Sequence, residues 1–162
     1  LTTAWPGDLP VTLWRISNHP LLDGGGGMKA GGRWHTKGRP IVYCAGSPAA
    51  ALLEVLVHFE LEFDALPVRH QYLKIEAPDD LEVEEVPLES LARGWQGDVS
   101  RTRRLGDEWL RSGRSALLRV PSALTPESWN VLINPRQAAA ARIQVHSVIR
   151  HALDPRLHRL RR

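Results

Sequence analysis

From Pro48 to about Glu62 the chain reads Pro-Ala-Ala-Ala-Leu-Leu-Glu-Val-Leu-Val-His-Phe-Glu-Leu-Glu. At helical periodicity that leaves almost no polar face, so the segment predicts a helix buried against a sheet. Gly46-Ser47-Pro48 is its start signal. Ser47 serves as N-cap, and Pro48 takes the first helical position, where its missing N–H does no harm. Glu54 and His58 alone interrupt the early apolar run, four residues apart on one face. An unpaired carboxylate taken out of water costs several kcal/mol or moves its pKa upward. Glu54 therefore needs either a partner or a task.

The flanking segments supply the sheet. Val11–Ser17 alternates and reads as a first strand, with Leu13, Arg15 and Ser17 on one side and Thr12, Trp14 and Ile16 on the other. Arg15 falls either on the inner face, as a placed cation, or on the solvent face. His19 to Gly32 reads as a loop, because Gly24–Gly27 is the strongest flexibility signal in the chain. It is either a surface linker or a mobile loop over a pocket. Pro40–Ala45 reads as a short strand, and Val68–Ile75 as another after a turn at Asp64–Pro67.

The second half continues in the same mixed style. An acidic connection carries a short strand near Leu81–Val86, followed by a short helix from Pro87 to Trp95. Asp98 caps a further helix that runs to Ser112 and stops at Gly113. Ser115–Val120, Trp129–Ile133 and Ala141–Ala152 complete the strands. About six or seven strands with two or three helices lack regular βαβ alternation, so the fold class is α+β: one mixed domain with a central sheet. The domain spans 1–162, with a core of about 11–157, a lead-in over 1–10 and a basic tail over 158–162.

Composition narrows the chemistry. With 162 residues, 43% hydrophobic and 24% charged, the chain can bury the core of one soluble domain. The single cysteine, Cys44, excludes a disulfide framework within the chain and a Cys-rich zinc site; it reads as a small core residue. Seven histidines are scattered without His-Glu-x-x-His spacing, so no metal is expected. No apolar run has membrane-spanning length and no signal-peptide pattern opens the chain, so the expected compartment is the cytoplasm. A pI near 9.5 with arginines at 156, 159, 161 and 162 admits a nucleic-acid-binding module. No recognition helix or aromatic-striped sheet supports one.

Candidate site residues gather around the helix start. Arg15, Arg33, Lys37 and Arg39 offer cations beside glycines, and guanidinium pairs suit a pyrophosphate. Tyr43 and Trp34 offer faces for an aromatic ring, with core packing as the alternative for Trp34. Glu54 offers a carboxylate and Ser122 a hydroxyl at a strand end. Ser122 has neither a Gly-x-Ser-x-Gly elbow nor an evident triad partner.

Several of these pieces fall in a recognisable order: Leu13-Trp-Arg-Ile16, Gly31-Gly-Arg-Trp34 with Lys37-Gly38, Ile41-Val-Tyr43, Ser47-Pro-Ala49 with Ala51-Leu-Leu-Glu-Val55, Val120-Pro-Ser122, Trp129-Asn-Val-Leu-Ile-Asn-Pro135 and Asp154-Pro-Arg-Leu157. In that order, over about residues 12–157, the chain resembles the RES-domain toxins of bacterial toxin–antitoxin modules. His35 departs from the pattern, which often has Asn there. The resemblance implies a fold like that of ADP-ribosyltransferase toxins and an activity that consumes NAD⁺, by hydrolysis, by phosphorolysis with inorganic phosphate as co-substrate, or by ADP-ribosylation of a protein. It assigns Arg33, Glu54 and Ser122 as catalytic and Tyr43 to the NAD⁺ site, with Arg15, His58 and Asn130 as further candidates for binding. It also implies no metal and an Xre-like antitoxin partner that blocks the site.

Overall fold

The computed structural model describes residues 11–58 and 71–159. Seven strands form one mixed sheet: β1 (Val11–Ile16), β2 (Val42–Ala45), β3 (Gln71–Ala77), β4 (Val83–Glu85), β5 (Leu117–Pro121), β6 (Trp129–Ile133) and β7 (Gln144–Arg150). Their order across the sheet is β4-β5-β6-β2-β1-β3-β7. The β4–β5 pair is parallel and the remaining pairs are antiparallel. Three helices accompany it: α1 (Gly25–Lys29), α2 (Pro48–His58) and α3 (Val99–Ser112). This is the α+β class that the mixed element order predicts.

Strand alternation gives the sheet two buried faces. Leu13, Val42, Cys44, Leu73, Ile75, Leu117, Val131 and Ile133 point to one of them, which Leu81, Ile143 and Leu22 help to close. Leu118, Val120, Leu132 and Tyr43 point to the other, where Trp34, Ile41, Trp95 and Trp109 cover them. The second helix, α2, lies over β1 and β2. It begins as the sequence predicts, with the Ala50 N–H donating to the Ser47 hydroxyl at 3.1 Å. The helix α3 also matches: the Asp98 carboxylate accepts from the Ser100 N–H at 2.9 Å, and Gly113 ends it at φ 60°.

Three expectations need correction. First, α2 is not buried all round; Ala51 is its buried residue, while Leu53 and Val57 stay exposed. Its expected extension to Glu62 lies outside the described residues, as does Val68–His70 of the third predicted strand. Second, Pro87–Trp95 is not one short helix but two separate 3-10 turns, Leu88–Ser90 and Trp95–Gly97. Gly94, at φ 77°, sits between them and breaks the run. Ala141–Ala152 likewise divides into a 3-10 turn at Ala138–Arg142 and the strand β7.

Third, the four-glycine run is not a flexible loop. Gly24, at φ 73°, ends the incoming chain in a left-handed turn and Gly25–Lys29 is helical. The Asp23 carboxylate fixes the start by accepting from the Gly25 N–H at 2.9 Å. Gly27 is there for space: a Cβ on it would run into the Arg39 carbonyl and into the Ile41 side chain at 2.7 Å. Gly26 has nothing within 4 Å. Packing and mobility therefore predict opposite outcomes at neighbouring positions. Gly26→Ala should be neutral or raise stability by up to about 1 kcal/mol. Gly27→Ala should lower it by about 1–3 kcal/mol through overpacking. Urea denaturation of the two variants measures the difference.

Candidate active site

The site is built on the sheet face that carries Tyr43. Ala45 is opposite Asn130 in the β2–β6 pair, and Val120 is opposite Asn130 in the β5–β6 pair. These three side chains and Tyr43 therefore share one face. Ser122 continues the same side just beyond β5, where its N–H donates to the Ser128 carbonyl at 2.8 Å. Its hydroxyl accepts from the Leu124 N–H at 3.1 Å and from the Thr125 N–H at 3.4 Å, which ties down the loop after β5.

One wall of the resulting trough is α2. From it Glu54, half-buried, accepts a 2.6 Å hydrogen bond from the Asn130 Nδ2. The acid that the sequence leaves unexplained thus has a neutral amide partner 76 residues away. His58 is exposed one turn further on.

The other wall is the turn Gly31–His35, which carries Arg33 and rests on α3. The Thr102 hydroxyl, completely buried, donates to the Arg33 carbonyl at 2.7 Å. The Arg103 Nε donates to the Gly32 carbonyl at 2.8 Å. A Cβ on Gly106 would collide with the Trp34 carbonyl, so this glycine is what lets α3 approach. Trp34 itself is 2% exposed and packs against Trp95 with ring centroids 6.0 Å apart and planes inclined by 46°, so it belongs to the core and presents no face to a ligand. The half-buried Arg33 donates from Nη1 to the Gln96 carbonyl at 2.8 Å and lies 5.8 Å from the Trp95 ring.

Tyr43 joins floor to wall. Its hydroxyl accepts from the Trp34 N–H at 3.0 Å and stands 2.8 Å from the His35 Nδ1. Burial pushes the Tyr43 phenol well above its ordinary value, so it stays a neutral hydroxyl. Burial likewise lowers the His35 pKa below the ordinary 6.5, outweighing the carbonyls and Asp107 that favour the charged form.

Tyr43, Asn130 and Glu54 thus lie on one side of the sheet, with Ser122 just beyond β5 on that side and Arg33 on the turn bonded to Tyr43. Arg15 leaves β1 on the opposite side from Trp14, with Leu73 opposite it in the β1–β3 pair. There its charge acts on the buried Cys44 thiol, which burial nevertheless pushes up to about 12. Strand alternation, not distance along the chain, keeps Arg15 off this face. Lys37 is exposed, and Arg39 is occupied by a 3.0 Å ion pair with Asp107. Sequence reasoning missed Thr102, Arg103 and Asp107 because α3 reads as an ordinary amphipathic helix. Its one unusual signal is Gly106 within an otherwise uninterrupted helical run. Among the described residues no group of three or more His, Cys, Asp or Glu side chains could hold a metal ion, and no helix is long and apolar enough to cross a membrane.

The RES domain family matches residues 12–157. A protein of Pseudomonas putida named Toxin Res is 46% identical over 137 residues, covering 83% of this chain and 93% of its own. The Prs ADP-ribosylating toxin of a Sphingobium species is 35% identical over 161 residues, covering 93% and 99%. In structure, the chain is similar to a chain of the crystal structure of the M. tuberculosis MbcT–MbcA toxin–antitoxin complex, with a TM-score of 0.71 and 18% identity, covering 98% of this chain and 90% of that one. This chain belongs to the RES-domain family.

Thr102→Val removes the hydroxyl that satisfies the Arg33 carbonyl and keeps the side-chain volume. It should cost about 1–3 kcal/mol in urea denaturation, the price of a buried acceptor left without a donor.

Proposed function

We propose that the chain is a toxin of a toxin–antitoxin module that consumes NAD⁺ by breaking the bond between ribose and nicotinamide. The observation that carries this reading is the pairing of Glu54 with Asn130 on the sheet face shared by Tyr43, opposite a wall bearing Arg33. A ligand with an anionic pyrophosphate and a cationic nicotinamide ring matches a guanidinium at one wall and a carboxylate at the other.

The carbon–nitrogen bond breaks through an oxocarbenium-like transition state, as in glycoside chemistry. Its electron pair leaves with nicotinamide, which departs neutral, and the positive charge moves to the ribose. Glu54 stabilises that charge. Arg33 holds the pyrophosphate by bidentate contacts. Tyr43, its hydroxyl already engaged, offers its ring to nicotinamide, and Ser122 orients the loop beside the ribose. Water then gives ADP-ribose, whereas inorganic phosphate gives ADP-ribose-1″-phosphate. A second reading, transfer of ADP-ribose to a protein, is favoured by the 35% identity to the Prs ADP-ribosylating toxin.

The partner in this proposal is an Xre-like antitoxin that covers the trough in the cytoplasm. A protein seated there would meet Leu53 and Val57, which α2 exposes beside Glu54. A groove on the other flank of α2, about 300 Å³, is lined by Trp14, Pro48, Ala49, Leu52, Tyr72, Ile149 and His151. It holds neither carboxylate nor guanidinium, so the chemistry is assigned to the Glu54 flank instead.

Purified protein incubated with NAD⁺, with and without phosphate, should deplete it, and mass spectrometry of the products identifies the acceptor. Glu54→Gln should slow depletion on the order of 10²-fold. Undiminished turnover by that variant would remove Glu54 from the mechanism. If NAD⁺ is consumed only when a cell lysate supplies a protein that becomes labelled, the transferase reading takes its place.

A further inference from the structure

We infer that His35 is a positioning residue of this trough: as a neutral imidazole it holds Tyr43 and the turn bearing Arg33, and its protonation at acid pH releases them. The functional part rests on the reading of the trough as an NAD⁺ site.

Of the two neutral tautomers, the hydrogen bonds around the ring fit one. The Gly32 N–H donates to the His35 carbonyl at 3.1 Å and shares that hydrogen with Nδ1 at 3.2 Å, which suits an unprotonated Nδ1. The Ala30 carbonyl can only accept, and it lies 3.0 Å from Nε2, so Nε2 carries the hydrogen. Tyr43 accepts from the Trp34 N–H and so directs its own hydrogen to Nδ1. A single neutral tautomer therefore satisfies α1, the Gly31–His35 turn and β2 together.

The packing leaves no slack for a different arrangement. The ring is part of a residue only 3% exposed. A Cβ on Gly32 would come within 2.6 Å of the Tyr43 hydroxyl, and one on Gly27 within 3.0 Å of Nε2. If Nδ1 gains a proton, the Gly32 N–H keeps the His35 carbonyl but its second branch faces another N–H. Tyr43 can then accept from Nδ1 only by turning its own hydrogen out of the bond. Both changes act on the segment that presents Arg33 and on the phenol that floors the trough.

Charges face the ring from several elements. From α3, Arg103 opposes protonation and Asp107 favours it. Asp107 is itself engaged by Arg39 and by Thr36, the latter through both its N–H and its hydroxyl. From β2 comes the neutral Tyr43. The short α1 brings the Ala30 carbonyl and the Gly27 backbone, with Lys29 exposed at its end. The turn itself brings Arg33, whose charge acts on Tyr43. Burial is the largest influence, and it holds the ring neutral below the ordinary 6.5. A depressed histidine pKa contributes stability that is fully present above 6.5 and is lost as pH falls through the lower folded-state value.

The test compares the wild type with His35→Asn, whose amide keeps an acceptor and a donor but does not titrate. In the wild type kcat/KM for NAD⁺ should fall about tenfold per pH unit below the folded-state pKa of His35. The loss should appear mainly in KM, because binding geometry is what changes. His35→Asn should keep kcat/KM flat across that window. An unaltered acid limb in His35→Asn, or a wild-type limb confined to kcat, overturns the proposal. Imidazole ¹⁵N signals of the free protein, assigned by their loss in His35→Asn, decide it without NAD⁺. A neutral Nε2–H form that persists below pH 6.5 is expected, and an Nδ1–H form or an ordinary titration overturns it. If NAD⁺ is not consumed at all, the function reading fails while these signals still decide the role of His35. Should His35→Asn not fold, Tyr43→Phe replaces it. Loss of the hydroxyl should move the His35 titration upward, and an unmoved titration overturns the proposal.

Discussion

The strand β2 is four residues long, and the molecule is arranged around its two sides. Val42, fully buried, and Cys44 point into one core, while Tyr43 and Ala45 point to the face that carries the trough. Because β2 is hydrogen-bonded on both edges, to β1 and to β6, its register is set twice over. A slip by one residue would exchange every side chain between the faces and bury Tyr43 where Cys44 belongs. The placement of the phenol is therefore a property of the whole sheet rather than of its local turn.

That placement also explains the chain on either side of β2. The turn before it, Gly31–His35, has to pass close over Tyr43, and Gly32 leaves room for the phenol oxygen. The helix after it starts within three residues, at Pro48, so Glu54 must lie over the same face. Ala45 and Asn130 are cross-strand neighbours, and Asn130 meets Glu54 from below. A single short strand thus brings a cation-bearing turn and an acid-bearing helix to opposite sides of one phenol. The two walls differ in kind. The turn is held through backbone carbonyls by Thr102 and Arg103, whereas α2 is open on its outer side, with Leu53 and Val57 exposed.

Much of this was legible in the sequence where the signal is local. Ser47-Pro48, Asp98 and Gly113 mark helix ends because capping needs particular side chains or a left-handed backbone within a few residues. Strand β6 matches its expected bounds because its apolar run stands between a polar loop and Asn134-Pro135. The misreadings involve contacts distant in sequence. Gly27 reads as a flexibility signal until the Arg39 carbonyl is seen beside it, while for Trp34 the sequence leaves ligand face and core both open, and Trp95 decides for the core. Arg15 and Arg33 are equivalent cations by composition; the sequence leaves the face of Arg15 open, and the pleat of β1 sets it, whereas Arg33 is placed by its turn. Thr102 and Asp107 carry no local mark at all, since their partners are 69 and 71 residues away.

The nature of the Glu54 partner bears on the proposed chemistry. A guanidinium beside that carboxylate would orient it well but would also neutralise it, and the field at a developing ribose cation would weaken accordingly. Asn130 orients through a 2.6 Å hydrogen bond while contributing no net charge. The carboxylate is therefore fixed in direction without a neighbouring counter-charge from this partner, which in the proposed reaction is the kind of preorganisation that acts most strongly on a developing cation. The nearest guanidinium assigned to the ligand, Arg33, is held at the other wall by the Gln96 carbonyl. In the proposed reaction, placing the guanidinium on the turn and the carboxylate on α2 would let each act on its own end of a ligand that is anionic at the pyrophosphate and becomes cationic at the ribose.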